Sequence, residues 1–194
     1  MRYSGDQKQK QILQAFENSL KDMSKGETTT TDNIDNSASD STQTSTPEPK
    51  DNSSVNQKPN SQEVKGIAKL IIPKINISVA VAEGTDMETL KYAVGHFTGT
   101  AMPGEKGNFA VAGHRSYTYN EFLNKADQLS IGDEIIVQTK KGEFTYIIYE
   151  TKVVLPEEIS VLDPTKDATC TLVTCTPIRV ATHRLIIKGR LKTA

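Results

Sequence analysis

Apolar residues are sparse up to Gln62 and frequent after Val64, and after Val64 most of them recur at the two-residue period of half-buried strands. Ile67 to Ile72 is apolar and β-branched, Pro73-Lys74 interrupts it, and Ile75 to Val81 alternates again. Thr85 to Tyr92 reads as a short helix, with Thr85 as N-cap, Asp86 and Glu88 in the first turn and Leu90 facing inward. Pro103 to Gly107 is a turn leading into a short apolar strand, Asn108 to Ala112. Tyr119 to Leu129 predicts a second helix, with Phe122, Leu123 and Ala126 on one side. Asp133 to Thr139 and Glu143 to Val154 form a hairpin across Lys140-Lys141-Gly142. Leu155 to Lys166 is a loop with one helical turn at Pro156-Glu157-Glu158. Thr169 to Thr174 and Arg184 to Gly189 supply the last strands. Many short strands with two small helices indicate a mostly-β barrel or sandwich, and periodicity does not choose between them.

The N-terminal part divides in two. Within residues 1–25, Ile12, Phe16, Leu20 and Met23 recur at helical spacing among Gln, Lys and Glu, which predicts an amphipathic, juxtamembrane-like helix. So short a helix is marginal alone and frays without a partner. Residues 26–63 are almost entirely Ser, Thr, Asn, Asp, Gln, Pro, Glu and Lys, too poor in apolar surface to offset their ordering entropy. They read as a disordered linker with an end-to-end distance of roughly 35 Å. Residues 64–194, about 130 of them, suffice for one ordinary domain.

Charge excludes little. Lys and Arg number 23 against 24 Asp and Glu, so no global field points to nucleic acid. No run approaches the ~20 apolar residues of a spanning helix. The two cysteines, Cys170 and Cys175, are five residues apart. In a strand that is about 17 Å with side chains on opposite faces, beyond the reach of a disulfide. Cys170 then reads as a small buried residue, and Cys175, at a strand end, as a free thiol.

Cys175, His114 and Arg184 each sit at the start or end of a predicted strand, a combination suited to thiolate acyl transfer. Among the histidines, His114 follows an apolar strand through Gly113, which admits close backbone approach. His96 reads as structural or marginal to a groove, and His183 would point away from Arg184 in a strand. Arg115 and Arg190 read as surface residues, and Arg179 lies within a loop.

Thr171-Leu172-Val173-Thr174-Cys175 matches the Thr-Leu-X-Thr-Cys signature of sortases, and Ala112-Gly113-His114 resembles their histidine segment. With Arg184 at the start of Arg184-Leu185-Ile186-Ile187, the resemblance runs from Gly66 to Leu191. The His-Arg and Cys-Thr-Pro segments resemble class D sortases most, class A next. The resemblance implies an eight-stranded β-barrel with two or more short helices. It also implies a catalytic set of His114, Cys175 and Arg184, and substrate contacts are expected at Ala112, Leu155, Ile159 and Thr174. The implied reaction cleaves a Leu-Pro-X-Thr-Gly-like sorting signal after Thr, through a thioacyl-enzyme. The implied partners are surface proteins bearing that signal and an amine acceptor of the peptidoglycan cross-bridge or its precursor. No cofactor or metal is expected. The implied location is the outer face of a Gram-positive cell membrane, anchored by an N-terminal segment absent from this chain.

Free Cys and His titrate near ~8.5 and ~6.5, so a thiolate–imidazolium pair is a minority state unless the site shifts them. Slow turnover is expected. Two other classes use the same observations: a thiol hydrolase passing the acyl group to water, and a non-catalytic binding module on a stalk. A serine hydrolase built on Ser116 is remote, because Ser116 lies in no nucleophile-elbow motif.

Overall fold

The computed structural model describes residues 3–25, 64–115 and 122–193. The linker 26–63, Ser116 and the start of the second expected helix lie outside these described residues. Eight strands close into a barrel: β1 (Gly66–Ile72), β2 (Ile77–Glu83), β3 (Val94–His96), β4 (Gly107–Ala112), β5 (Glu134–Thr139), β6 (Gly142–Val154), β7 (Ala168–Thr176) and β8 (His183–Leu191). Their order around the barrel is β1-β2-β3-β4-β7-β8-β6-β5, and β5 returns to pair with β1. Only β2·β3 and β4·β7 are parallel pairs. The eight-stranded, mostly-β expectation holds.

Alternation along each strand explains the closure. Leu70 and Ile72 of β1, Phe109 and Val111 of β4 and Leu172 of β7 point into one continuous core. Burying each such side chain contributes about 1.5–3 kcal/mol. Leu70, Ile72 and Leu172 are completely shielded from solvent. The hairpin expected across Lys140-Lys141-Gly142 joins β5 to β6, with Thr139 paired to Gly142.

Several boundaries differ from the sequence reading. Ile75 belongs to a 3-10 turn, Pro73–Ile75, which Asn76 closes in the left-handed region at φ 55°, so β2 starts only at Ile77. The first short helix, α2 (Met87–Tyr92), is capped by Asp86 rather than Thr85. The Asp86 carboxylate accepts the Glu88 and Thr89 amides at 3.0 Å and the Thr89 hydroxyl at 2.7 Å. Those bonds hold its carboxyl below the ordinary aspartate range. The described part of the second expected helix is a turn ending in a 3-10 helix, Ala126–Gln128. Phe122, Leu123 and Ala126 are nevertheless all buried, as their spacing required. The helical turn expected at Pro156 lies later, at Ile159–Leu162, where Val161 is the buried anchor.

The N-terminal helix, α1 (Tyr3–Lys25), has the partner that its sequence did not reveal. Ile12 and Phe16 are buried, and Ile12 packs with Ala80 and Ala82 of β2, Tyr92 and Ala93. Lys69 of β1 pairs with Glu17 at 2.5 Å. Among the described residues no helix is long and apolar enough to cross a membrane.

Candidate active site

Strand parity decides which face carries the chemistry. On β7, Cys170 and Leu172 point into the barrel, while Val173 packs outside it against Ile186 and Val161. Cys175 shares the parity of Val173 and therefore the outer face. Arg184 is its direct partner across the antiparallel β7·β8 ladder, just as Val173 is partnered by Ile186. Thiol and guanidinium thus stand on one face, beside an apolar floor.

His114 reaches the same face from β4. Phe109 and Val111 point inward, so Ala112 points outward, and it is level with Val173 of β7. The chain stays beside β7 past the end of β4: Gly113 N–H donates to the Val173 carbonyl at 3.1 Å, and the Thr174 hydroxyl donates to the Gly113 carbonyl at 2.8 Å. Extending that register by one more residue puts His114 level with Cys175, one strand spacing of ~4.8 Å away. Gly113 is required here, because a Cβ would meet Leu123 Cδ1 at 2.8 Å. Leu123 in turn donates its N–H to the His114 carbonyl at 3.2 Å. Burial lowers the His114 pKa below its ordinary value, since the imidazolium loses more hydration than the neutral ring.

Arg184 Nη1 donates to the carbonyls of Ala181 and His183, both at 3.1 Å, which ties the head group to the β7–β8 connection. Nε and Nη2 carry the donors that can face a developing oxyanion. His183 pairs with Thr176, and its neighbour relation to Arg184 in the strand sends the two side chains to opposite faces. Cys170 is fully buried, and burial pushes its thiol well above the ordinary range. Both cysteines are free thiols.

The expected substrate contacts separate into two groups. Ala112 lies on the outer face beside Val173, and Leu155 and Ile159 stand exposed on the connection from β6 to β7. That connection is held down by Val161 and Leu162, which pack with Val154, Val173 and Ile186. Thr174 is different. Its side chain is buried, with its hydroxyl committed to Gly113, so it shapes the histidine segment instead of lining the groove.

His96 serves the framework. Its Nδ1 lies 2.7 Å from Glu83 Oε2, its Nε2 lies 2.9 Å from Thr100 Oγ1, and its ring stacks on Phe109. Partial burial would raise the Glu83 pKa, but hydrogen bonds from His96 and Thr98 outweigh it and hold the carboxyl low.

Arg115 corrects the sequence reading. It was expected at the surface, yet it is buried, and its guanidinium meets Asp127 at 2.8 Å, Thr176 Oγ1 at 3.1 Å and the Asn124 carbonyl at 3.3 Å. The signal was present in the alternation. Phe109, Val111 and Gly113 set the inward parity, and Arg115 continues it.

A closed barrel thus turns a thiol, an imidazole and a guanidinium to one outer face, a set suited to thiolate acyl chemistry. The Sortase domain profile matches residues 70–192, and the chain belongs to the sortase family. It is 36% identical over 143 residues to Sortase SrtE1 of Streptomyces coelicolor, covering 66% of this chain and 40% of that protein. It is 34% identical over 137 residues to Sortase D of Bacillus subtilis, covering 69% of this chain and 66% of that protein. The match therefore spans less than two thirds of either relative. Among solved structures, a Clostridium perfringens Sortase D5 transpeptidase aligns with a TM-score of 0.62 at 41% identity, covering 66% of this chain and 80% of that one. A lid mutant of Sortase A from Corynebacterium diphtheriae aligns with a TM-score of 0.65 at 29% identity, covering 70% and 75%.

Proposed function

We propose that this chain is a transpeptidase that cleaves a Leu-Pro-X-Thr-Gly-like sorting signal after Thr and passes the acyl group to a cell-wall amine. The observation that carries the reading is the direct pairing of Cys175 with Arg184 on the outer face, with His114 on the segment that continues β4 past Gly113 beside β7. In the first step the Cys175 thiolate attacks the Thr carbonyl carbon, and the carbonyl electron pair moves to oxygen. Arg184 hydrogen-bonds that oxyanion. Collapse breaks the peptide C–N bond, the leaving amine takes the proton of imidazolium His114, and a thioester remains on Cys175. An acceptor amine then attacks the thioester, neutral His114 takes its proton, and the thiolate leaves.

In this reading Ala112, Leu155 and Ile159 contact the apolar part of the signal. The exposed flanks of Leu155 and Ile159 beside a Val173–Ile186 floor support that assignment. The kinship with two class D enzymes supports a donor that is an exported protein and an acceptor that is a peptidoglycan-precursor or cross-bridge amine. The same kinship supports a location outside the cell membrane of a Gram-positive bacterium, held through an N-terminal anchor.

Mass spectrometry of products from a sorting-signal peptide library, with and without amine acceptors, tests the reading. The expected result is a thioacyl adduct on Cys175 that accumulates without amine and yields an amide product with it. Release of the free acid at the same rate under both conditions would make the enzyme a hydrolase. Absence of any adduct or product across the library would remove the catalytic reading.

A further inference from the structure

We infer that Arg115 and Thr176 form an internal clamp that holds His114 and Cys175 in register, so that both act as positioning residues for acyl transfer. The inference rests on the transpeptidase reading above. Its starting point is sequence adjacency: Arg115 directly follows His114, and Thr176 directly follows Cys175. Because successive side chains alternate in extended backbone, the two reactive groups face outward while their neighbours face the barrel. The neighbours meet there, Arg115 Nη1 donating to Thr176 Oγ1 at 3.1 Å.

The other contacts make this a built junction. Arg115 Nε donates to the Asn124 carbonyl and Nη2 meets Asp127. Leu123, beside Asn124, donates its N–H to the His114 carbonyl. One guanidinium therefore joins three pieces of chain: the histidine segment, the turn at 123–127 and the end of β7. Only 5% of the Arg115 side chain is exposed, whereas Asp127 is 58% exposed. The ion pair itself is screened by water, so the geometry of the buried fork matters more than the charge of its partner. β4 ends at Ala112, and His114 lies beyond the ladder that would otherwise fix it. Among the described residues past Gly113, this side-chain junction ties the histidine segment to the strand that carries the cysteine. A shift near 1 Å between two reacting groups can cost about 10²-fold in rate.

The test compares Thr176→Val, Thr176→Ser, Arg115→Lys and the Arg115→Lys/Thr176→Val double variant with wild type. The readouts are kcat and KM on the best-cleaved Leu-Pro-X-Thr-Gly peptide, Tm, and the rate of Cys175 alkylation by iodoacetamide. Thr176→Val removes the acceptor at nearly constant shape and is expected to lower kcat about tenfold, with KM within about twofold. Thr176→Ser restores the oxygen and is expected to recover kcat to within about twofold of wild type. The double variant should fall little below the single variants, since both cut one link. Full kcat in folded Thr176→Val, failure of serine to rescue, or losses that follow Tm would overturn the clamp. Cys175→Ala, run alongside, separates the two ideas. A folded Cys175→Ala with normal turnover defeats the transpeptidase reading itself, while a dead Cys175→Ala beside a fully active Thr176→Val defeats only the clamp.

Discussion

Cys175 and Arg184 are directly opposed residues of β7 and β8, one register step from the end of the ladder that joins those strands. Their Cα atoms are fixed by backbone pairing, so the spacing between thiol and guanidinium depends only on side-chain rotamers. Preorganised donors of this kind need little reorganisation when charge develops, which is where electrostatic catalysis is strongest. The carbonyls of Ala181 and His183 restrict the Arg184 rotamers further.

Arg184→Lys is expected to lose about 10²-fold in kcat, or ~3 kcal/mol of transition-state stabilisation, although the charge is kept. Lysine offers a point charge in place of a planar fork, and it cannot satisfy Ala181 and His183 while also reaching an oxyanion. Steady-state kinetics on a fluorogenic sorting-signal peptide would check this. Turnover within threefold of wild type would assign the oxyanion to other donors.

His114 is expected to titrate below the ~6.5 of a free imidazole, because burial disfavours its charged form. The same shift makes stability depend on pH. Above ~6.5 the ring is neutral in both folded and unfolded chains, and the contribution is fully present. As pH falls through the lowered folded value, the unfolded chain has already bound a proton that the folded chain resists, so stability is lost. Carbon-13 shifts of labelled histidine would give the pKa directly. The fall in Tm from pH 8 to pH 5 should be smaller in His114→Asn than in wild type, and equal falls would contradict the assignment.

Cys170 and Cys175 are expected to behave as two different kinds of thiol. Iodoacetamide should label Cys175 in the native protein and leave Cys170 untouched, since Cys170 is sealed in the core and its thiol is held protonated. Cys170→Ala should keep kcat and lose about 1–2 kcal/mol of stability through the small cavity left behind. Peptide mapping after alkylation would check the first point and denaturant unfolding the second. Loss of turnover in folded Cys170→Ala would move the nucleophile.

Local patterns carried much of this into view. The β5–β6 hairpin and the β7 and β8 runs were legible because alternation and turn residues are neighbours in sequence. The strand β3 was not, since Val94-Gly95-His96 is too short to show a period. The sequence reading makes Thr85 the cap with Asp86 in the first turn, and only the hydrogen bonds of the folded chain move the cap to Asp86. The docking of α1 could not be read because its partners, Ala80 and Ala82, lie beyond residues 26–63. For Arg115 the parity was readable, but a buried arginine needs Thr176 and Asp127, and nothing local links those three positions.

Removal of residues 1–63 is expected to leave a folded, active barrel of lower thermal stability. The main core draws on all eight strands and on no residue of α1, so the fold does not require the helix. What α1 adds is the burial of Ile12 and Phe16 against Gly66, Ala80 and Ala82. Gly66 fits that contact closely, since a Cβ there would lie 3.3 Å from Phe16 Cβ. The gain is offset by ordering the helix, and the seat is imperfect: a cleft of about 420 Å³ remains beside Phe16 and Val64. The Lys69–Glu17 pair is partly exposed and adds little. A net effect near 1 kcal/mol corresponds to a Tm fall of roughly 3–6 °C for a domain of this size. Phe16→Ala in the full chain should reproduce most of that fall, and kcat on a soluble peptide should change less than twofold in both proteins. An unchanged Tm in both would mean that α1 does not hold this seat in solution. A large loss of turnover in the shortened but folded chain would make α1 or the linker part of the active site.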